Sequence, residues 1–177
     1  YDYPGDVTLV TMALDISRGD RDFEAHYIKG LDHLLEVRNP LIVYADEKYH
    51  DYIIKRRKEL SIATSNNRIE VRSITLDTLK NNEYFDRIQS IISSEEWKNQ
   101  SEWMKTSVIS SEYYIPLTLI KNQLLQEIAE QNPLGSDRFY WIDSGFYNSF
   151  GVTEPIGTFD FLKSPKDNFL LTSYPYW

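Results

Sequence analysis

Residues 7–14 read Val-Thr-Leu-Val-Thr-Met-Ala-Leu, an apolar, β-rich run with no long polar interruption. A run of this kind is typical of a strand that is covered on both faces in a largely parallel sheet. Apolar residues at helical spacing follow over residues 23–37, and a second apolar run, Leu41–Ala45, comes directly after Asn39-Pro40. The order strand, helix, strand predicts two parallel strands joined by a crossover helix.

The rest of the chain continues this alternation. Helical spacing recurs over residues 47–60, 76–105 and 116–130, and strand composition recurs over residues 68–74, 138–142 and 168–174. The polar and apolar alternation at 68–74 favours a strand near an edge of the sheet. The four cations at 55–58 are predicted to form a solvated helix end. We therefore expect the α/β fold class, a mostly parallel central sheet flanked by helices, in a single domain over residues 1–177 that can be part of a longer chain.

The composition limits the classes of partner. The chain has 177 residues, of which 41% are hydrophobic, a net charge of −8 and a pI near 4.9. A general nucleic-acid partner is not expected, because neutralising phosphates requires a basic face. The chain contains no Cys, so a metal would be held by oxygen or His ligands. No apolar run approaches the roughly 20 residues of a membrane span and no signal peptide is recognised, so we expect a cytoplasmic protein without a membrane span.

Asp143 is the first candidate functional residue. It follows the aromatic run at 138–142 and precedes Ser144-Gly145, so it is predicted to lie just past the carboxyl end of a strand. In open α/β sheets ligands bind at that edge. The alternative is a strand that ends in an Asx-turn, because Asp-Ser-Gly is ordinary turn composition.

Three cations are candidate contacts for an anionic ligand. Arg18 and Arg21 lie in the loop after the first strand, where they could meet a diphosphate or pair with the neighbouring aspartates. Lys121 is predicted near the beginning of a helix and close to its apolar stripe. A lysine there opposes the helix dipole, which indicates either a phosphate bound together with free backbone N–H groups or a lysine whose stem covers apolar surface.

Three blocks occur in order along the chain: VTLVTMALDISRGDR at residues 7–21, NPLIVY at residues 39–44, and the stretch 121–145, in which a helix from Lys121 is followed by NPL and FYWIDSG. In this order they resemble the bacterial HtrL/YibB-like (WlaTC-type) glycosyltransferases, and together they span most of the chain. The resemblance implies a Rossmann-like GT-A fold that binds a nucleotide sugar. A UDP-sugar is the first candidate donor, and a saccharide or other glycan, as in lipopolysaccharide biosynthesis, is the implied acceptor.

The resemblance also implies roles for particular residues. Asp143 would bind a divalent ion, Mn²⁺ or Mg²⁺, that bridges the donor diphosphate and stabilises its charge as the glycosidic bond breaks. The remaining contacts would come from the cations Arg18, Arg21 and Lys121 at the diphosphate, from Asp46 at the base or ribose, and from the backbone of Thr11 and Ala13.

The usual Asp-x-Asp pair of such sites is reduced here to Asp143-Ser144-Gly145. One carboxylate binds metal more weakly than two, so either a distant carboxylate assists, the metal comes mainly with the diphosphate, or the site is degenerate. Glu154 and Asp160, in the loop region after the motif, are positional candidates for a catalytic base. Two other classes stay open: a non-catalytic nucleotide-sugar or carbohydrate-binding module, and a phosphatase or receiver-type domain with Asp143 as nucleophile.

Overall fold

The computed structural model describes residues 7–19, 22–61, 68–100 and 111–147. Strands and helices alternate through these ranges in the order β1 (Val7–Ala13), α1 (Lys29–Glu36), β2 (Leu41–Ala45), α2 (His50–Ser61), β3 (Ile69–Ser73), α3 (Leu76–Lys80), α4 (Phe85–Ile92), α5 (Glu95–Lys98), α6 (Tyr114–Gln131) and β4 (Arg138–Trp141). A short π-helix, Glu24–Ile28, leads into α1, and a 3-10 turn, Glu47–Tyr49, leads into α2. The strand predicted at 168–174 lies outside the described residues.

The four strands form one sheet in the order β3-β2-β1-β4. Every pairing is parallel, with Leu9 of β1 aligned with Leu41 of β2 on one side and with Tyr140 of β4 on the other. The expected α/β class with a mostly parallel sheet, consistent with a Rossmann-like fold, is therefore confirmed. The prediction that residues 68–74 form an edge strand is also confirmed, since β3 pairs only with β2 among the described strands.

Helices cover both faces of the sheet because successive side chains of β1 and β2 point to opposite faces. All seven residues of β1 and all five of β2 are buried. Val7, Leu9 and Ala13 pack with the apolar stripe of α1, made by Leu31, Leu34 and Leu35. Val10 and Met12 pack on the other face with α6, through Ile120, Leu124 and Ile128. The sheet is thus the middle of three layers.

Region 76–100 contains three short helices, where one or two were predicted for 76–105. Two of the three helix starts have side-chain caps: the Thr75 hydroxyl accepts from the Thr78 N–H, and the Ser94 hydroxyl accepts from the Trp97 N–H. Such caps satisfy amides that have no partner within the helix, so polar sequence can be divided into separate short helices.

Within the described part of the chain, no helix combines the length and the apolar character that crossing a membrane requires.

The basic cluster at 55–58 is not solvated throughout. Arg57 is fully buried, and its guanidinium donates to the carbonyl oxygens of Leu35, Val37 and Asn39 at 2.9, 2.6 and 2.9 Å. Burial lowers the pKa of Arg57 to about 10, so the group keeps its charge at neutral pH. The prediction is wrong for Arg57 because the carbonyls at the end of α1 supply the acceptors that water would otherwise supply.

We expect Arg57→Met to lower the free energy of unfolding by about 3 kcal/mol, because three buried carbonyl oxygens lose a charged donor. Urea denaturation followed by circular dichroism measures this change. Arg56→Met is the matched control: Arg56 lies on the outer side of α2 and pairs with Asp32 and Glu59, so its loss should cost at most about 1 kcal/mol. Equal losses in the two variants would contradict the role given to the buried guanidinium.

Candidate functional site

The carboxyl ends of all four strands meet at one edge of the sheet, and the strand order reverses there beside β1. The chain moves from β1 to β2 and β3 on one side, then returns through α6 to place β4 on the other side. In open parallel sheets the crevice outside such a switch point is the usual ligand site, because the two loops that follow its strands separate. Here those loops are residues 14–19 after β1 and residues 142–147 after β4.

Asp143 lies at this switch point, just past β4 as predicted. Its Oδ1 accepts a hydrogen bond from Lys121 Nζ at 2.6 Å and a second from Trp141 Nε1 at 2.8 Å. The Lys121 ammonium also lies 5.9 Å from the centre of the Trp141 ring. The Asp143 side chain is 62% exposed and that of Lys121 only 21%, so a ligand in the crevice can reach the carboxylate directly.

The turn that carries Asp143 is fixed to β1. Ser144 is buried and its hydroxyl donates to the Met12 carbonyl at 2.9 Å. The Ile142 N–H donates to the Val10 carbonyl, and the Phe146 N–H closes the turn on the Asp143 carbonyl, both at 2.9 Å. The turn is therefore closed by main-chain groups, while the Asp143 carboxylate contacts side chains. This arrangement differs from an Asx-turn, in which the carboxylate would close the turn.

Lys121 reaches Asp143 from the interior of α6. The helix begins at Tyr114, two residues before Pro116, so Lys121 lies in its third turn. Lys121 is therefore farther from the free N–H groups of the helix start than its predicted position near the beginning of the helix implied. Tyr114 and Lys121 are seven residues apart, which places them on the same face and about 10 Å apart along the helix axis. The face of α6 that they share borders the loops after β1 and β4.

Arg18 is held beside the start of α6. Its guanidinium carbon lies 5.0 Å from the centre of the Tyr114 ring, a distance at which a cation is attracted by the ring face. The Ser111 hydroxyl donates to the Ile16 carbonyl at 2.6 Å, which ties the same loop to the segment before α6. Ser17 has a positive φ of 55°, and its N–H donates to Asp15 Oδ1 at 2.8 Å. The loop after β1 thus places Arg18 beside the start of α6, the helix that carries Lys121.

The other predicted site residues are placed less centrally. Asp46 follows β2, but its Oδ1 accepts from the Lys48 N–H at 3.1 Å and so begins the 3-10 turn. Thr11 and Ala13 are buried in β1, and the Thr11 hydroxyl has no hydrogen-bond partner among the described residues. A nucleotide contact by these three residues stays a prediction. Arg21, Glu154 and Asp160 lie outside the described residues.

Two site residues were not predicted from the sequence. They are Trp141, whose indole N–H donates to Asp143, and Tyr114, whose ring contacts the Arg18 guanidinium. Trp141 was visible only as a strand residue. Its position two residues before Asp143 is the signal that could have indicated a shared side of the strand. Tyr114 had no comparable signal, because its contact with Arg18 joins distant parts of the chain.

An aromatic group borders the far side of the same turn. The rings of Phe23 and Tyr27 are 5.7 Å apart, as are those of Phe23 and Tyr49. Gly145 lies against this group, since a methyl group added there would sit 3.5 Å from Tyr27 Cε1. The edge of the sheet therefore carries cations near Asp143 and aromatic rings near Gly145.

The described residues do not by themselves fit a divalent metal. Within the part of the chain that the structure describes, no three His, Asp or Glu side chains are grouped as metal ligands. Asp143 is the lone carboxylate named for this role, and its Oδ1 already accepts from an ammonium and an indole N–H. Mn²⁺ and Mg²⁺ need several oxygen ligands, so an ion here would depend on the donor diphosphate or on residues beyond the described ranges.

We expect Ser144→Ala to lower the free energy of unfolding by about 1 kcal/mol, because the buried Met12 carbonyl loses its hydroxyl donor. Hydrogen exchange should show the larger effect, with faster exchange at the amides of residues 142–147. Ser90→Ala, at an exposed position of α4, should leave both quantities unchanged. Unaltered exchange in Ser144→Ala would show that the turn is held without this bond.

A comparison with protein families identifies the relatives of this chain. The family model described as "Bacterial protein of unknown function (HtrL_YibB)" matches residues 5–160. No significant match was found among curated proteins or among solved structures. Since the family match covers most of the sequence, the chain belongs to the HtrL_YibB family of bacterial proteins, a family described as of unknown function.

Proposed function

We propose that this chain is a glycosyltransferase domain that binds a nucleotide sugar, first of all a UDP-sugar, in the crevice between the loops that follow β1 and β4. The observation that carries the proposal is the contact of Lys121 with Asp143 at the switch point of a parallel sheet, with Arg18 held at the start of the helix that carries Lys121. The sequence resemblance to the HtrL/YibB-like glycosyltransferases supports the same function. The acceptor is a saccharide or other glycan.

The charges at the crevice favour an anionic ligand. The chain as a whole has a net charge of −8, yet two cationic side chains border this crevice. Arg18 offers a planar group with several donors and Lys121 a compact ammonium, and both suit phosphate oxygens.

Sugar transfer would use this charge at the leaving group. The bond between the anomeric carbon and the diphosphate oxygen breaks, and the bond electrons remain on the diphosphate. Cations placed at that oxygen stabilise the transition state more than the ground state, which is the source of rate acceleration. The acceptor hydroxyl forms the new bond at the anomeric carbon and gives its proton to a base, for which Glu154 and Asp160 are the candidates.

A second candidate function is favoured by the 2.6 Å contact between Lys121 and Asp143. A lysine beside an exposed aspartate is also an arrangement that could accept a phosphoryl group on the carboxylate. Incubation with acetyl phosphate followed by intact-protein mass spectrometry tests this function. A phosphorylated adduct that is lost in Asp143→Asn would support it, and an unchanged mass would count against it.

We expect UDP to bind the protein in isothermal titration calorimetry, and Arg18→Gln to weaken its affinity about tenfold to a hundredfold. A charge-assisted hydrogen bond contributes about 1.5–3 kcal/mol, and each 1.4 kcal/mol is about a tenfold change in Kd. Arg87→Gln, at an exposed position of α4, is the matched control and should bind UDP as the unaltered protein does.

Incubation with a panel of UDP-sugars separates transfer from binding alone. Release of UDP from one donor, increased by a glycan acceptor, is the result expected of a transferase. Binding without release would identify a non-catalytic nucleotide-sugar-binding module. If UDP fails to bind at millimolar concentration, with or without Mn²⁺, the donor-site proposal is wrong.

A further inference from the structure

We propose that Lys121 supplies the positive charge that holds the donor diphosphate, in the place where a divalent ion would act, and that Asp143 positions this lysine instead of binding a metal. The inference rests on the proposed function, because it assigns the roles of two residues within the same donor site. It predicts that a nucleoside diphosphate binds equally well with and without a divalent metal.

Asp143 Oδ1 already accepts two hydrogen bonds. Lys121 Nζ lies 2.6 Å from Oδ1, and Trp141 Nε1 lies 2.8 Å from the same oxygen. A hard divalent ion binds carboxylate oxygens at about 2.0–2.6 Å. An ion on Oδ1 would therefore be brought within about 5 Å of the ammonium, where the two cations repel each other.

Lys121 is held in place at the crevice. Its side chain is 21% exposed, and the ring of Trp141 lies 5.9 Å from its ammonium, near enough for a favourable cation–π contact. Trp141 also donates to Asp143, so each of the three side chains contacts the other two. An ammonium has three donors, and the contact with Asp143 uses one of them, so phosphate oxygens can accept from the others.

The charge of Asp143 distinguishes a metal ligand from a residue that positions Lys121. If Asp143 were a metal ligand, the neutral Asp143→Asn variant would lose the ion and with it the diphosphate. If Asp143 only positions Lys121, the carboxylate repels the diphosphate, and the amide removes that repulsion while its oxygen can still accept from Lys121 and Trp141. The same substitution therefore has opposite effects on affinity under the two roles.

The test measures the Kd of UDP by calorimetry in EDTA and in Mn²⁺. We expect the two Kd values of the unaltered protein to agree within about twofold. Lys121→Met should weaken binding at least tenfold in both conditions, Lys121→Arg should keep most of the affinity because it keeps the charge, and Asp143→Asn should bind at least as tightly as the unaltered protein. Urea denaturation of each variant confirms that it is folded.

Lys55→Met is the matched control, because it removes the same charge from α2, where the Lys55 side chain is 80% exposed. It should leave the Kd of UDP unchanged. Tightening of binding at least tenfold by Mn²⁺, together with loss of binding in Asp143→Asn, would overturn the inference and leave the proposed function standing. Absence of UDP binding in both conditions would instead overturn the proposed function itself, and the inference with it.

Discussion

The rest of the fold depends on β1, a central strand that hydrogen-bonds to a parallel strand on each side. Because β2 and β4 are both parallel to it, every strand ends at one edge of the sheet, and the loops that follow β1 and β4 have no strand between them. All seven residues of β1 are buried, so there is little freedom to vary the length of this strand or its register with β2 and β4. The crevice is thus a consequence of strand order, and the side chains of the loops and of α6 decide what it can bind.

Much of this architecture could be predicted from the spacing of apolar residues along the sequence. The apolar runs that become β1 and β2 are continuous because both faces are covered, whereas β3 alternates because it lies at an edge. The predicted bounds of β2 are those observed, Leu41–Ala45. Asp143 was correctly placed past a strand, since aromatic residues followed by Asp, Ser and Gly mark the end of a strand locally.

Contacts between distant residues could not be predicted in the same way. The spacing of apolar residues in α2 does not indicate which of its cations faces the end of α1. The burial of Arg57 against the carbonyls there was therefore missed. Pro116 suggested a helix start, but a proline is compatible with any position in the first turn, and α6 begins at Tyr114. The pairing of Lys121 with Asp143 was missed for a related reason: both residues were assigned to one pocket, but their direct contact depends on how α6 packs beside β4.

The hydrogen bond from Ser144 to Met12 joins residues that are 132 positions apart in the chain. In contrast, Arg57 contacts carbonyls only 18 to 22 positions away, so β1, α1, β2 and α2 are held together by comparatively local contacts. Closing a longer loop costs more chain entropy, and contacts of large sequence separation slow folding. The crevice is therefore the least local part of the described sheet: β1, β2 and β3 can pair before β4 is docked, but the crevice beside Asp143 exists only after it.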